Sequence, residues 1–137
     1  MMDCIFCKIV AGQIPALKIY ENDHVLSFLD IGPLADGHLL VIPKKHYSRL
    51  DEMSGDEVAA VTRVLPELAD AVVRATGAQG YNVLQNNGRV AGQLVAHVHF
   101  HIIPRMADDG LGYRWNAKKY PAGKDQQLQQ QIIAELK

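Results

Sequence analysis

Apolar and polar residues alternate in short runs along most of this chain, and one long stretch switches to a helical period. Residues 17–20 and 25–29 are two brief apolar runs, and Glu21-Asn22-Asp23-His24 between them has the composition of a turn, which predicts a hairpin. A loop rich in breakers follows, Ile31-Gly32-Pro33-Leu34-Ala35-Asp36-Gly37. Residues 38–42 read as a buried strand that Pro43 ends. Ser54-Gly55-Asp56-Glu57 matches the S-x-x-E capping box of a helix start. After it Val58, Val61, Leu65, Leu68, Val72 and Val73 recur at helical spacing as far as Thr76, and Gly77 is placed to stop the helix. Pro66 interrupts this run. It has no N–H to give the carbonyl of Thr62, so a kink is expected there. Residues 81–85 form a fourth strand, Asn87-Gly88 a turn, and residues 97–103 a fifth strand. Residues 106–124 read mostly as loop, and residues 125–136 predict a closing helix with Leu128, Ile132, Ile133 and Leu136 on one side. Five strands joined by hairpins and loops, plus one long helix, predict an α+β fold with a five-stranded antiparallel sheet. The length of 137 residues suits a single domain, with a core over residues 3–105 and a tail over 106–137.

The fifth strand carries the chemistry. In His97-Val98-His99-Phe100-His101-Ile102-Ile103, three histidines alternate with apolar residues. On a strand, positions i, i+2 and i+4 share a face, so the imidazoles form one row roughly 13 Å long, at about 3.3 Å per residue. Val98, Phe100 and Ile102 take the opposite face. A lone histidine on a strand is unremarkable, and a surface row can be inert. Three in strict alternation, backed by an unbroken apolar face, point to chemistry on an anionic substrate or to metal binding, because imidazole serves as nucleophile, proton carrier and ligand near neutral pH.

Composition narrows the class. A net charge of −1 gives no sign of binding to nucleic acid or an anionic membrane, and no apolar run approaches the ~20 residues of a membrane span. The start, Met1-Met2-Asp3-Cys4-Ile5-Phe6-Cys7, lacks a basic stretch followed by a long apolar one, so no signal peptide is read. Two cysteines do not make a disulfide scaffold, and a cytoplasmic protein is the simplest inference. Cys4-Ile5-Phe6-Cys7 is a C-x-x-C: half a zinc site, a redox pair or two buried thiols.

His-Val-His-Phe-His-Ile-Ile resembles the signature of the histidine triad (HIT) family, and its surroundings extend the match. Gly92-Gln93-Leu94-Val95 is similar to the family's G-Q-x-V lead-in. Gly37-His38-Leu39-Leu40-Val41-Ile42-Pro43-Lys44 is similar to its G-H-x-L-V-I-P-K segment. Phe28-Leu29-Asp30-Ile31 and Ile5-Phe6-Cys7-Lys8-Ile9 are similar to further family segments. The short layout looks most like the Hint branch. The resemblance implies a nucleotide hydrolase acting at the α-phosphate, most of all a purine nucleoside 5′-phosphoramidase that releases AMP. His99 would be the nucleophile, forming a nucleotidyl-histidine intermediate. His101 would donate to a phosphate oxygen or, as an imidazolium, to the leaving amine, and His38 would relay protons or orient. Asp30 would take the ribose hydroxyls, Asn86 and Gln93 the phosphate, and Phe6, Ile9, Phe28, Ile31 and Leu40 would wall the base pocket. Read without the family, His38 is a buried histidine, Asn86 a turn residue and the apolar set ordinary core. Leu94 departs from the serine that the Hint branch often carries there, which bears on leaving-group preference.

The resemblance also implies a structural zinc on Cys4, Cys7, His46 and His97, and a homodimer whose sheets join into ten strands. Three other readings compete: a dinucleoside polyphosphate hydrolase, which uses the same intermediate, a non-catalytic nucleotide-binding regulator, and a metal-handling protein. A metal-handling protein would hold several exchangeable ions in place of one tight zinc.

Overall fold

The computed structural model describes residues 3–112 and 116–136. Its sheet is antiparallel throughout: β1 (Lys18–Glu21), β2 (Val25–Leu29), β3 (Leu39–Pro43), β4 (Gly80–Gln85) and β5 (Phe100–Arg105), in the spatial order β1-β2-β3-β5-β4. The turn of the β1–β2 hairpin is closed by Asn22, whose Oδ1 accepts from the amides of His24 and Val25 at 2.8 Å each. That is the turn chemistry of an Asx residue.

Period-two patterning divides the sheet into two faces. Val25, Leu39, Val41, Val98, Phe100 and Ile102 pack under Val61, Leu68, Ala69 and Val72 of the long helical segment. Leu26, Phe28, Leu40 and Ile42 face the other way and are covered by Phe6 and Ile9. These two belong to a short helix, α1 (Ile5–Val10), which begins at Cys4; the Cys4 sulfur accepts from the Cys7 amide. Hydrophobic periodicity does not reveal a helix of six residues.

Two expectations change. The helix expected to run through Pro66 with a kink is two helices, α2 (Gly55–Thr62) and α3 (Leu65–Thr76). Pro66 lies in the first turn of α3, where its missing N–H has no partner to lose. The capping box at Ser54 and Glu57 and the left-handed stop at Gly77 are both present. The fifth strand begins at Phe100, not His97. The ladders to β3 and β4 both end at Phe100, and upstream the His97 amide turns back to the Val95 carbonyl while the Val98 amide donates to Tyr47. Side chains still alternate across this segment, so Val98 shares the core of Phe100. Pro104 lies within β5, beyond the last residue paired with β3.

The tail ends in α4 (Lys124–Glu135). It does not close the core as expected: Ile132, Ile133 and Leu136 are 63%, 53% and 73% exposed, and neither apolar cluster includes them. Arg114 and Trp115, the start of a segment (residues 114–120) expected to reach toward the active site and bias substrate choice, lie outside the described residues.

Candidate active site and metal centre

A cavity of about 470 Å³ opens on the α1 face of the sheet. That is room for a nucleotide-sized ligand. Phe6, Ile9, Phe28 and Leu40 form its apolar wall, and Asp30, His38, Asn86, His99 and His101 supply the polar groups. Ile31 borders it but is 97% exposed, so it is part of the rim and not of the wall. Gln93 is elsewhere. Its buried amide accepts from the Gly88 N–H at 2.7 Å and donates to the Ser48 carbonyl at 2.6 Å, and its side chain does not line the cavity. Gly92 does, in a left-handed conformation next to Asn86. Leu84, Leu94 and Leu34 also line it; of these only Leu94 drew notice in the sequence.

Backbone groups fix the tautomers of His99 and His38, and through His38 that of His101. A carbonyl only accepts, so the ring nitrogen 2.7 Å from the His97 carbonyl, His99 Nδ1, carries a proton. In the neutral ring, Nε2 of His99 then keeps its lone pair. An amide only donates, so His38 Nδ1, 3.0 Å from the Leu34 N–H, is a bare acceptor. The neutral His38 proton is therefore on Nε2, which donates to His101 Nδ1 at 2.9 Å. That leaves His101 with its proton on Nε2. Two adjacent rings, with centroids 4.9 Å apart, thus present opposite chemistry: a lone pair at 99 and an N–H at 101.

Burial favours the neutral form of all three rings. It lowers the pKa of His99 and of His38, only partly opposed by the His97 carbonyl for His99 and by the Asp30 carboxylate for both. His101 is pushed down to about 4 by burial, with His99 and His38 adding to the effect. An imidazolium at 101 is therefore not the resting form. Asp30, His38 and His101 lie close enough to hold a metal ion, but the proton on His38 Nε2 occupies the nitrogen that would bind it.

The first triad histidine turns away from the cavity. His97 is fully buried, and its Nδ1 lies 3.4 Å from Cys4 Sγ, 3.6 Å from Cys7 Sγ and 3.2 Å from His46 Nδ1; Cys7 Sγ is 3.3 Å from His46 Nδ1. Ligand bonds of about 2.3 Å to sulfur and about 2.05 Å to nitrogen at tetrahedral angles require S···N near 3.5 Å and N···N near 3.3 Å. The four donors fit a zinc ion of that geometry. His97 Nε2 donates to the Pro43 carbonyl at 2.8 Å, which leaves Nδ1 bare for a metal. Four protein ligands fill the coordination sphere, so a metal there would be structural.

The alternating histidines of residues 97–101, set on a five-stranded antiparallel sheet, are those of a histidine triad protein. The HIT domain model matches residues 11–108, and the chain belongs to that family. It is 46% identical over 137 residues to the adenosine 5′-monophosphoramidase hnt1 of Schizosaccharomyces pombe, covering 99% of this chain and 100% of the relative. Its fold superposes on the crystal structure of a HIT family member from Bacillus subtilis with a TM-score of 0.93 at 41% identity, over 98% of each chain. It is also similar to a Zn-bound histidine triad protein from Mycobacterium smegmatis: TM-score 0.77, 38% identity, 98% of this chain and 99% of that one.

Proposed function

We propose that this protein is a purine nucleoside 5′-phosphoramidase that releases AMP from P–N-linked substrates. The observation that carries this reading is the lone pair of His99 set beside the N–H of His101 in a nucleotide-sized cavity. His99 Nε2 attacks the α-phosphorus. The new bond to the ring nitrogen forms as the bond to the amine breaks, and the amine leaves with its electron pair and a proton from water. His101 Nε2–H donates to a phosphoryl oxygen, where negative charge builds up. The His97 carbonyl stabilises the positive charge that the His99 ring acquires. Water then attacks the nucleotidyl-histidine, loses a proton, releases AMP and restores His99. Asp30 accepts from the ribose hydroxyls, and Asn86 and the backbone at Gly92 approach the phosphate. Gln93 shapes the loop that presents them by holding Gly88 to Ser48.

The S. pombe relative bears the name of this activity. Charge also favours it over dinucleoside polyphosphate hydrolysis: among the described residues lining the cavity there is no Lys or Arg to neutralise several phosphates. The two substrates compared side by side decide the matter. AMP release from adenosine 5′-phosphoramidate is expected to exceed that from diadenosine tetraphosphate by at least about 10-fold in kcat/KM, a difference of about 1.4 kcal/mol in transition-state binding. Preference for the tetraphosphate would place the protein with the polyphosphate hydrolases. Cleavage of neither, with AMP still bound, would make it a nucleotide-binding regulator.

The Cys2His2 cluster holds one structural zinc, a reading supported by its donor geometry and by the Zn-bound mycobacterial neighbour. Thiolate ligands suit the reducing cytoplasm. No helix among the described residues is long and apolar enough to cross a membrane. The working form is a homodimer joined along β4. That strand is at the edge of the sheet, and Tyr81, Val83 and Leu84 on it are each more than 40% exposed. An open apolar edge invites pairing. Light scattering at micromolar concentration should give twice the chain mass of 15.1 kDa, and a monomer would refute the pairing.

A further inference from the structure

The loop between β2 and β3 makes a contact that no side-chain motif encodes. It is closed by its own hydrogen bonds: the Asp30 amide donates to the His38 carbonyl, the His38 amide to the Ala35 carbonyl, and the Gly32 amide to Asp30 Oδ1. Gly37 passes beneath it at φ +93°, where a Cβ would come within 2.7 Å of the Thr76 methyl. The loop is thereby pressed against α3, and the Leu34 N–H is aimed at His38 Nδ1, 3.0 Å away.

We propose that the main-chain amide of Leu34 is a positioning group for catalysis, fixing through His38 the tautomer in which His101 offers its Nε2–H to the substrate's phosphoryl group. An amide N–H excludes a proton from His38 Nδ1, so His38 keeps its proton on Nε2. A donor there excludes a proton from His101 Nδ1, 2.9 Å away, so His101 keeps its own on Nε2. The same contacts oppose a second proton on either ring, since each would set N–H against N–H. Asp30 Oδ2, 3.5 Å from His38 Nε2, is a second acceptor at that nitrogen and likewise requires the proton to be there, while the amide closes Nδ1 to proton entry. His38 thus orients His101 and does not relay to it. The two triad rings are set by opposite backbone groups, a carbonyl for His99 and, one ring removed, an amide for His101.

The role of His101 rests on the phosphoramidase reading, but the tautomers are measured without substrate, so the two stand or fall separately. Long-range proton–nitrogen correlation spectra of protein labelled with 15N-histidine should show His38 and His101 as Nε2–H and His99 as Nδ1–H at neutral pH. A His101 that carries its proton on Nδ1, or on both nitrogens, overturns the proposal with no variant needed. The N–H itself is then removed by placing the α-hydroxy acid analogue of leucine at position 34, which exchanges the amide for an ester and keeps the side chain. His101 should become a mixture of tautomers, and kcat on adenosine 5′-phosphoramidate should fall by about 10- to 100-fold with a much smaller change in KM. Leu34→Ala, which keeps the N–H, should keep the wild-type tautomers whatever it does to KM. An ester variant with undiminished kcat overturns the proposal whether or not the tautomers move.

Discussion

His99→Ala is expected to lose at least about 10³-fold in kcat on adenosine 5′-phosphoramidate, the scale on which removal of a covalent nucleophile is felt. The reason lies in the ring's two ends. Nδ1 is tied to the His97 carbonyl at 2.7 Å, so the other nitrogen keeps a lone pair, and burial keeps the ring from being protonated. None of the neighbours replaces it. His101 presents an N–H, His38 is engaged at both nitrogens, and His97 is turned toward the cysteines. AMP binding should persist, because Phe6, Phe28, Leu40 and Asp30 still line the cavity. Two measurements check this: steady-state AMP release, and calorimetric titration with AMP. Mass spectrometry of wild-type protein quenched during turnover should show the nucleotidyl adduct, and the variant should not. A variant within 10-fold of wild type would remove His99 from the nucleophile's role.

The second large effect concerns the metal. Protein purified without added metal should carry one equivalent of zinc per chain, and Cys4→Ala with Cys7→Ala should carry none. Loss of the ion should lower stability by about 3 kcal/mol or more, because four converging ligands form the site only in the folded chain. At about 4 °C per kcal/mol for a domain of this size, Tm should fall by roughly 12 °C. The effect should also reach substrate. Cys4 and Cys7 flank Phe6 on α1, and Phe6 packs edge-on against His99 with ring centroids 5.1 Å apart. Without its anchor the helix that walls the cavity loosens, and KM should rise more than kcat falls. Elemental analysis and thermal unfolding decide this, and well under one equivalent of zinc with an unchanged Tm in the double variant would refute the structural role.

Much of this arrangement could be read from residue order because it depends on side chains at fixed intervals. Alternation in residues 97–103 correctly assigned Val98, Phe100 and Ile102 to one core, and His99 and His101 to the cavity face. The capping box at Ser54 announced α2. Other features depend on where the backbone goes, which residue order does not disclose. Alternation alone extends the fifth strand to His97, but the hydrogen-bond ladder stops at Phe100, since the amides of His97 and Val98 are taken by the Val95 and Tyr47 carbonyls. Pro66 reads as a kink inside one helix, whereas it stands in the first turn of a second. Gln93 carries a side chain suited to phosphate, yet two backbone groups already claim its amide. The contribution of Leu34 is an N–H that every residue except proline possesses, so no sequence pattern can mark it.

His97 belongs to two structures at once, and it joins them by different parts of itself. Its imidazole faces the cysteine sulfurs, while its carbonyl accepts from His99 Nδ1. The carbonyl is common property of all twenty amino acids; the imidazole is not. A descendant of this protein could therefore give up Cys4, Cys7, His46 and the ring at position 97 in favour of a packed apolar plug, and still hand the same oxygen to His99. A zinc ion held by the cluster would thus be dispensable for the carbonyl contact that sets the His99 tautomer.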